Sequence, residues 1–198
     1  MRSAYFLFFL HHKISEKEAI DLLGLDLYES LIIEGLLINS DGIISNVRFV
    51  PWSNFLFVSD HDEGSSRETD FYVYVGGDST ELISFVNRRL DISETFHRGL
   101  DLCAGTSIQS YNLLNRCDSI VAAEISQRAI DYAAVSSEIN SPGKINIVKS
   151  DLWQNLEGTF DIIISNPPYV PARLNEVSPK ILDAYGGSDL GMDIPIKI

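Results

Sequence analysis

Cysteine, histidine and positive charge are all scarce in this chain of 198 residues. Its two cysteines, Cys103 and Cys117, are too few for a disulfide framework, and neither belongs to a CxxC pair. A reducing compartment is the default for such a chain, and the cytoplasm is the expected location. Of the four histidines, His11 and His12 are adjacent and cannot share a helical face, while His61 and His97 lack ligand-spaced partners. No metal site is expected. Lys and Arg number 15 against 28 Asp and Glu, which gives a net charge of −13 and a pI near 4.6. That balance is poorly suited to non-specific phosphate binding, although a locally basic cleft stays compatible with it. Long apolar runs are missing too. The stretch from Ala4 to Leu10 is too short to span a bilayer and is not followed by a small-residue cleavage site, so neither membrane insertion nor a signal peptide is expected. It reads as a first strand or helix.

What is present is an ordinary globular composition, 45% hydrophobic, enough for one or two domains with a core. Ser15-Glu16-Lys17-Glu18 reads as a capping box with Gly24 as the helix stop, and a second helix follows from Asp26 to Gly35. Short apolar runs come next, at Leu36–Ile38, Ile43–Val50 and Phe55–Val58, with a hairpin turn at Ser40-Asp41-Gly42. Pro51 favours an edge or a bulge. Residues 1–69 thus resemble a small α+β winged-helix-like module, with a recognition or lid role. The polar stretch DHDEGSSRET is the linker candidate.

From residue 70 the pattern changes. A strand is predicted at Phe71–Val75 and a helix at 79–90. Strand-like runs recur at Gly99–Cys103, Ser119–Ala123, Lys144–Val148 and Phe160–Ile164, with helical stretches at 107–116 and 126–140. Alternating strands and helices predict a doubly wound, mainly parallel α/β sheet over residues 70–198. Ligands of such sheets bind at the carboxyl ends of the strands.

Each strand end carries a candidate residue. The first leads into Asp101-Leu102-Cys103-Ala104-Gly105-Thr106-Ser107, a tight turn where Gly105 permits close backbone approach. The second ends on Glu124, an acid placed to accept from a ribose diol; the plain alternative is a surface carboxylate at the next helix start. The third is followed by Asp151, which can accept from an adenine amine or serve as a helix N-cap. The fourth runs into Asn166-Pro167-Pro168-Tyr169. The two prolines remove backbone N–H groups and hold their predecessors extended. The turn is therefore rigid, rich in acceptors and poor in donors. Asn166 adds a side-chain carbonyl, and Tyr169 a flat face for stacking. Such a turn suits a substrate presenting an NH2 group.

These residues resemble a class I S-adenosylmethionine-dependent methyltransferase of the Asn-Pro-Pro-Tyr group, over about residues 70–198. DLCAGTS resembles the glycine-rich cofactor loop, with Cys103 and Ser107 standing where glycines are usual and Gly105 kept in the middle. The resemblance implies a Rossmann-like fold and S-adenosyl-L-methionine as cofactor. It implies cofactor contacts from Asp101, Cys103, Gly105, Ser107, Glu124, Asp151 and Asn166, with Ser107 near the methionine tail. Asn166, Pro167 and Tyr169 are the implied catalytic residues. Gly76-Gly77-Asp78-Ser79-Thr80-Glu81 and Tyr185-Gly186-Gly187-Ser188-Asp189-Leu190-Gly191-Met192-Asp193 resemble segments of protein-glutamine N5-methyltransferases. The implied substrate is a glutamine side chain of a protein such as a release factor. A nucleic-acid methyltransferase acting on adenine N6 or guanine N2 is the alternative, and a truncated, non-catalytic chain is a further one. The family fold continues with more strands after the motif, whereas few residues follow Tyr169 here, so the sheet is expected to be incomplete at the C-terminus and the strand ending at Ser165 an unpaired edge.

Overall fold

The Ser15 capping box forms in the computed structural model, which describes residues 1–61, 72–140, 143–171 and 184–198. Ser15 Oγ accepts from Glu18 N at 3.2 Å, and Glu18 Oε2 accepts from Ser15 N at 2.9 Å. These bonds start helix α2 (Glu16–Leu23); α1 (Arg2–Phe8) precedes it and α3 (Leu25–Ile33) follows through Gly24, at φ +79°. The opening apolar run is therefore helical. Strands β1 (Leu37–Asn39) and β2 (Ile43–Ser45) pair antiparallel around the Ser40–Gly42 turn. The run predicted over Ile43–Val50 is in fact two strands. Asn46 breaks it by turning its side-chain amide onto Gly35 O at 2.7 Å. The chain then forms a second ribbon, β3 (Val47–Trp52) with β4 (Phe55–Asp60). Pro51 sits inside β3, where a two-stranded ribbon leaves alternate N–H groups unpaired. Among the described residues the unit Met1–Glu68 holds three helices and two ribbons, one ribbon more than the sequence predicts. Its core is Leu7, Ile14, Ala19, Tyr28, Leu37 and Ile43. The polar linker candidate lies almost wholly outside the described residues.

The second unit, Thr69–Ile198, contains α4 (Gly77–Arg89), β5 (Phe96–Leu102), α5 (Ile108–Leu113), β6 (Cys117–Glu124), α6 (Gln127–Asn140), β7 (Ile145–Lys149) and β8 (Ile162–Ser165). The strand predicted at Phe71–Val75 is absent: Phe71 lies outside the described residues, and Tyr72–Val75 forms no strand. Tyr72 and Tyr74 instead stack their rings, 5.7 Å between centroids.

The four strands form one parallel sheet in the order β7-β6-β5-β8. Strand order reverses at β5, with β6 on one side and β8 on the other. A crevice opens at such a reversal, outside the carboxyl ends of the strands. Among the described residues β8 ends the sheet, and its Ile163 is 46% exposed. The interior strands are apolar on both faces, as parallel strands covered by helices must be. Leu100, Leu102, Val121 and Ala123 are buried together, with Val148, Leu156 and Phe160 packed against them.

Asp101 interrupts that apolar interior. It is fully buried on β5, and its Oδ2 accepts from Ser110 N at 2.9 Å and Ser110 Oγ at 2.7 Å. Its Oδ1 has no hydrogen-bond partner. Burial lifts the carboxyl from its ordinary 3.8 to about 7; Ser110 opposes the rise and the charge of Glu124 adds to it. The folded chain thus holds this proton more tightly than the unfolded chain. The stabilisation is complete below pH 3.8 and is lost as pH rises through about 7. An asparagine has no charge to bury. Thermal melts should therefore show Asp101→Asn gaining on the wild type more at about pH 8 than at about pH 5. A difference independent of pH would refute the assignment.

Candidate active site

Strand β6 ends on Glu124, and its carboxylate ties two turns together. Oε2 accepts from Gly105 N at 2.8 Å, in the turn after β5. Oε1 accepts from Ile125 N at 2.8 Å and Ser126 N at 2.9 Å, at the approach to α6. A carboxylate offers about four acceptor positions, so these three bonds leave it able to accept again.

The turn after β5 alternates into the left-handed region at Cys103 (φ +61°), Gly105 (φ +54°) and Ser107 (φ +62°). Glycine reaches that region freely; another L-residue pays roughly 1–2 kcal/mol. The backbone thus keeps a glycine-type path although only Gly105 is glycine. A Cβ built on Gly105 meets no atom within 4 Å. Burial pushes the Cys103 thiol up to about 12, with Glu124 and Asp101 adding to the rise, so it is an inert group here.

A cavity of about 390 Å3 lies over these turns, wholly within the second unit. Cys103, Gly105, Glu124, Asp151, Asn166, Pro167 and Tyr169 all line it. Two residues expected at a cofactor do not. Asp101 points under the sheet end to Ser110. Ser107 is fully buried at the start of α5, with its hydroxyl lacking a hydrogen-bond partner. Ser107 belongs to the left-handed turn, whereas Asp101 precedes it on β5. Asp151 is exposed, and its backbone carbonyl accepts from Gln154 N at 3.1 Å in a short turn. No described helix follows it, so it is not a helix N-cap.

The Asn-Pro-Pro-Tyr turn leaves β8 at the same end of the sheet. Asn166 Nδ2 donates to Asp78 Oδ2 at 2.9 Å and approaches Ser79 Oγ at 3.4 Å. Tyr169 OH stands 3.5 Å from the same Asp78 oxygen. The Asp78 charge raises the Tyr169 phenol pKa, with partial burial and the hydrogen bond adding to it. Asp78, in the first turn of α4, lines the cavity and has no counterpart in the sequence reading, which took its segment as a family likeness only. The ring pair of Tyr72 and Tyr74 was missed likewise.

The segment around Gly186 and Gly191 braces this turn. Val170 N donates to Ala184 O at 2.6 Å, and Gly186 N to Val170 O at 3.1 Å. A Cβ on Gly191, at φ +66°, would stand 2.1 Å from the Tyr169 carbonyl oxygen and 2.9 Å from Pro171 N. Gly105→Ala should therefore cost only the left-handed penalty, about 1 kcal/mol. Gly191→Ala should cost distinctly more, because backbone must move. Urea unfolding of the two variants checks the ranking; equal midpoints would contradict it.

Comparison with known proteins bears on what this cavity serves. Residues 80–183 match the family described as methyltransferase small domain. The chain is 33% identical over 94 residues to the ribosomal protein uL3 glutamine methyltransferase of Neisseria meningitidis, covering 46% of this chain and 31% of that protein. It is 30% identical over 100 residues to the release factor glutamine methyltransferase of Mycolicibacterium smegmatis, covering 46% and 35%. The chain spans about a third of the length of these relatives. Among solved structures, a 16S rRNA N2 G1207 methyltransferase from T. thermophilus superposes with a TM-score of 0.52 at 20% identity, over 78% of this chain and 43% of that one. The likeness carries the Rossmann-like fold. Because the family match runs over more than half of the residues, the chain belongs to the methyltransferase small domain family.

Proposed function

We propose that this chain transfers a methyl group from S-adenosyl-L-methionine to a planar NH2 nitrogen, and that the acceptor is a glutamine side chain of a protein such as a release factor. One observation carries the reading. The Glu124 carboxylate and the Asn-Pro-Pro-Tyr turn, from different strand ends, line one cavity. The glutamine methyltransferases named above support the choice of acceptor.

The residues present fit the cofactor. The cavity, about 390 Å3, falls within the roughly 300–1,000 Å3 usual for small-molecule sites. Glu124 keeps acceptor capacity for a ribose diol, Gly105 leaves open space above its backbone, and Asp151 is free of any helix cap. When bound, S-adenosylmethionine supplies an electrophilic methyl on its sulfonium. The chain's own task is then to hold and polarise a weak nucleophile. An amide nitrogen has a delocalised lone pair. The Asn166 side-chain carbonyl and the Pro167 carbonyl accept its two hydrogens, which stabilises positive charge developing on nitrogen. They also align it for in-line attack, a positioning effect. Tyr169 offers its face to the planar group. The new nitrogen–carbon bond would replace the sulfonium carbon–sulfur bond, whose electron pair stays on sulfur, and the surplus proton on nitrogen would pass to water.

Two of the scattered arginines that a nucleic-acid substrate would call on have other partners. Arg48 Nε donates to Ser59 Oγ at 3.1 Å, and Arg98 lies 4.4 Å over the Phe160 ring while donating to Glu157 O at 2.6 Å. Among the described residues no helix is long and apolar enough to cross a membrane.

Calorimetric titration of S-adenosylmethionine should show micromolar binding that Glu124→Ala abolishes; a folded wild-type chain that binds none would refute the reading. On a glutamine-containing peptide, Asn166→Ala should lower turnover by about 10²-fold and cofactor affinity far less. Tyr169→Ala should chiefly raise KM. Equal loss of turnover and cofactor binding in Asn166→Ala would remove its assigned role.

A further inference from the structure

We propose that Asp78 is a positioning residue that fixes which end of the Asn166 amide faces the cavity, and so makes the site select acceptors that donate hydrogen bonds. The inference rests on the reading above, in which the acceptor enters at Asn166.

An asparagine amide has two ends of nearly equal shape and opposite hydrogen-bonding character. Rotation by half a turn about its last bond would swap an acceptor for a donor, and with it the kind of substrate the site holds. Its partners decide the outcome. A carboxylate only accepts. With Asp78 Oδ2 at 2.9 Å, the NH2 end of Asn166 must face Asp78, and the swapped orientation would set carbonyl oxygen against carboxylate oxygen. Ser79 Oγ at 3.4 Å stands on the same side. The Asn166 carbonyl is thereby left as the end available to a substrate. A bond to a charged partner is also stronger than one to a neutral partner, so the preference is firm.

Local structure keeps Asp78 in place. It lies in the first turn of α4, and a Cβ on Gly76 would stand 2.3 Å from Asp78 Oδ1. Glycine at 76 leaves the room that the carboxylate occupies. The 3.5 Å approach of Tyr169 OH to Oδ2 brings both side chains of the turn to one oxygen. An acid in the first turn of a helix also stabilises that helix through its dipole, which is the role to be excluded.

The test uses the full chain with Asp78→Ala, and with Asp78→Asn should the alanine variant not fold. In 15N-labelled protein the Asn166 side-chain NH2 resonances, assigned by their loss in Asn166→Ser, should shift on replacing Asp78. Unmoved resonances would overturn the proposal whether or not the chain is active. In turnover with a glutamine-containing peptide, Asp78→Ala should lower kcat about tenfold with cofactor affinity unchanged. The Asp78→Ala/Asn166→Ala double variant should be no slower than Asn166→Ala alone. Additive losses, or a parallel loss of cofactor affinity, would show a merely structural role. A wild-type chain that fails to methylate the peptide would count against the acceptor assigned above, and the resonance shift would still decide the role of Asp78.

Discussion

The Glu124 carboxylate holds the N–H of Gly105 from the turn after β5 and those of Ile125 and Ser126 from the turn after β6. Without it these backbone donors would stand unpaired at the rim of a cavity, where burial without a partner is costly. One side chain satisfies them together and sets the spacing of two adjacent strand ends. The turn after β5 takes up the rest of the constraint, with Cys103, Gly105 and Ser107 all at positive φ.

A second carboxylate has a matching position on the other side of β5. Asp78 gathers Asn166 and Tyr169 as Glu124 gathers backbone N–H groups. Both acids line the cavity, one beside the turns of β5 and β6, the other beside the turn of β8. Both accept rather than donate. In a chain already at −13, this favours ligands that carry N–H or O–H groups or positive charge. Asp101 shows what happens to an acid without such donors in number. Only Ser110 serves it, and burial lifts its pKa to about 7.

The departures of the turn after β5 from an all-glycine pattern have a physical reading. The path requires left-handed residues at 103, 105 and 107, and two of them are met by L-residues at a cost of roughly 1–2 kcal/mol each. Such strain persists only where the surroundings over-determine the conformation. Here β5 is locked between β6 and β8, and Ala104 N of the turn donates to Ala123 O on β6 at 3.0 Å.

Much of this was legible in residue order. The Ser15 capping box, the Ser40–Gly42 turn and the alternation of strand and helix after residue 76 are local patterns, and local patterns survive folding when tertiary packing agrees with them. That Gly105, Glu124, Asp151 and Asn166 line one cavity is also readable from sequence, because parallel sheets open their crevice where strands stop. What sequence could not decide was direction and partnership. The apolar Tyr72–Val75 looks like a strand but pairs with none among the described residues; Asp101 at the end of β5 and Ser107 in the turn after it do not line the cavity. Asp78 meets Asn166 across 88 positions only because β8 crosses back to lie beside β5, which brings the end of β8 to the start of α4. Periodicity and turn chemistry act over a few residues, and strand order is settled by the packing of the whole sheet.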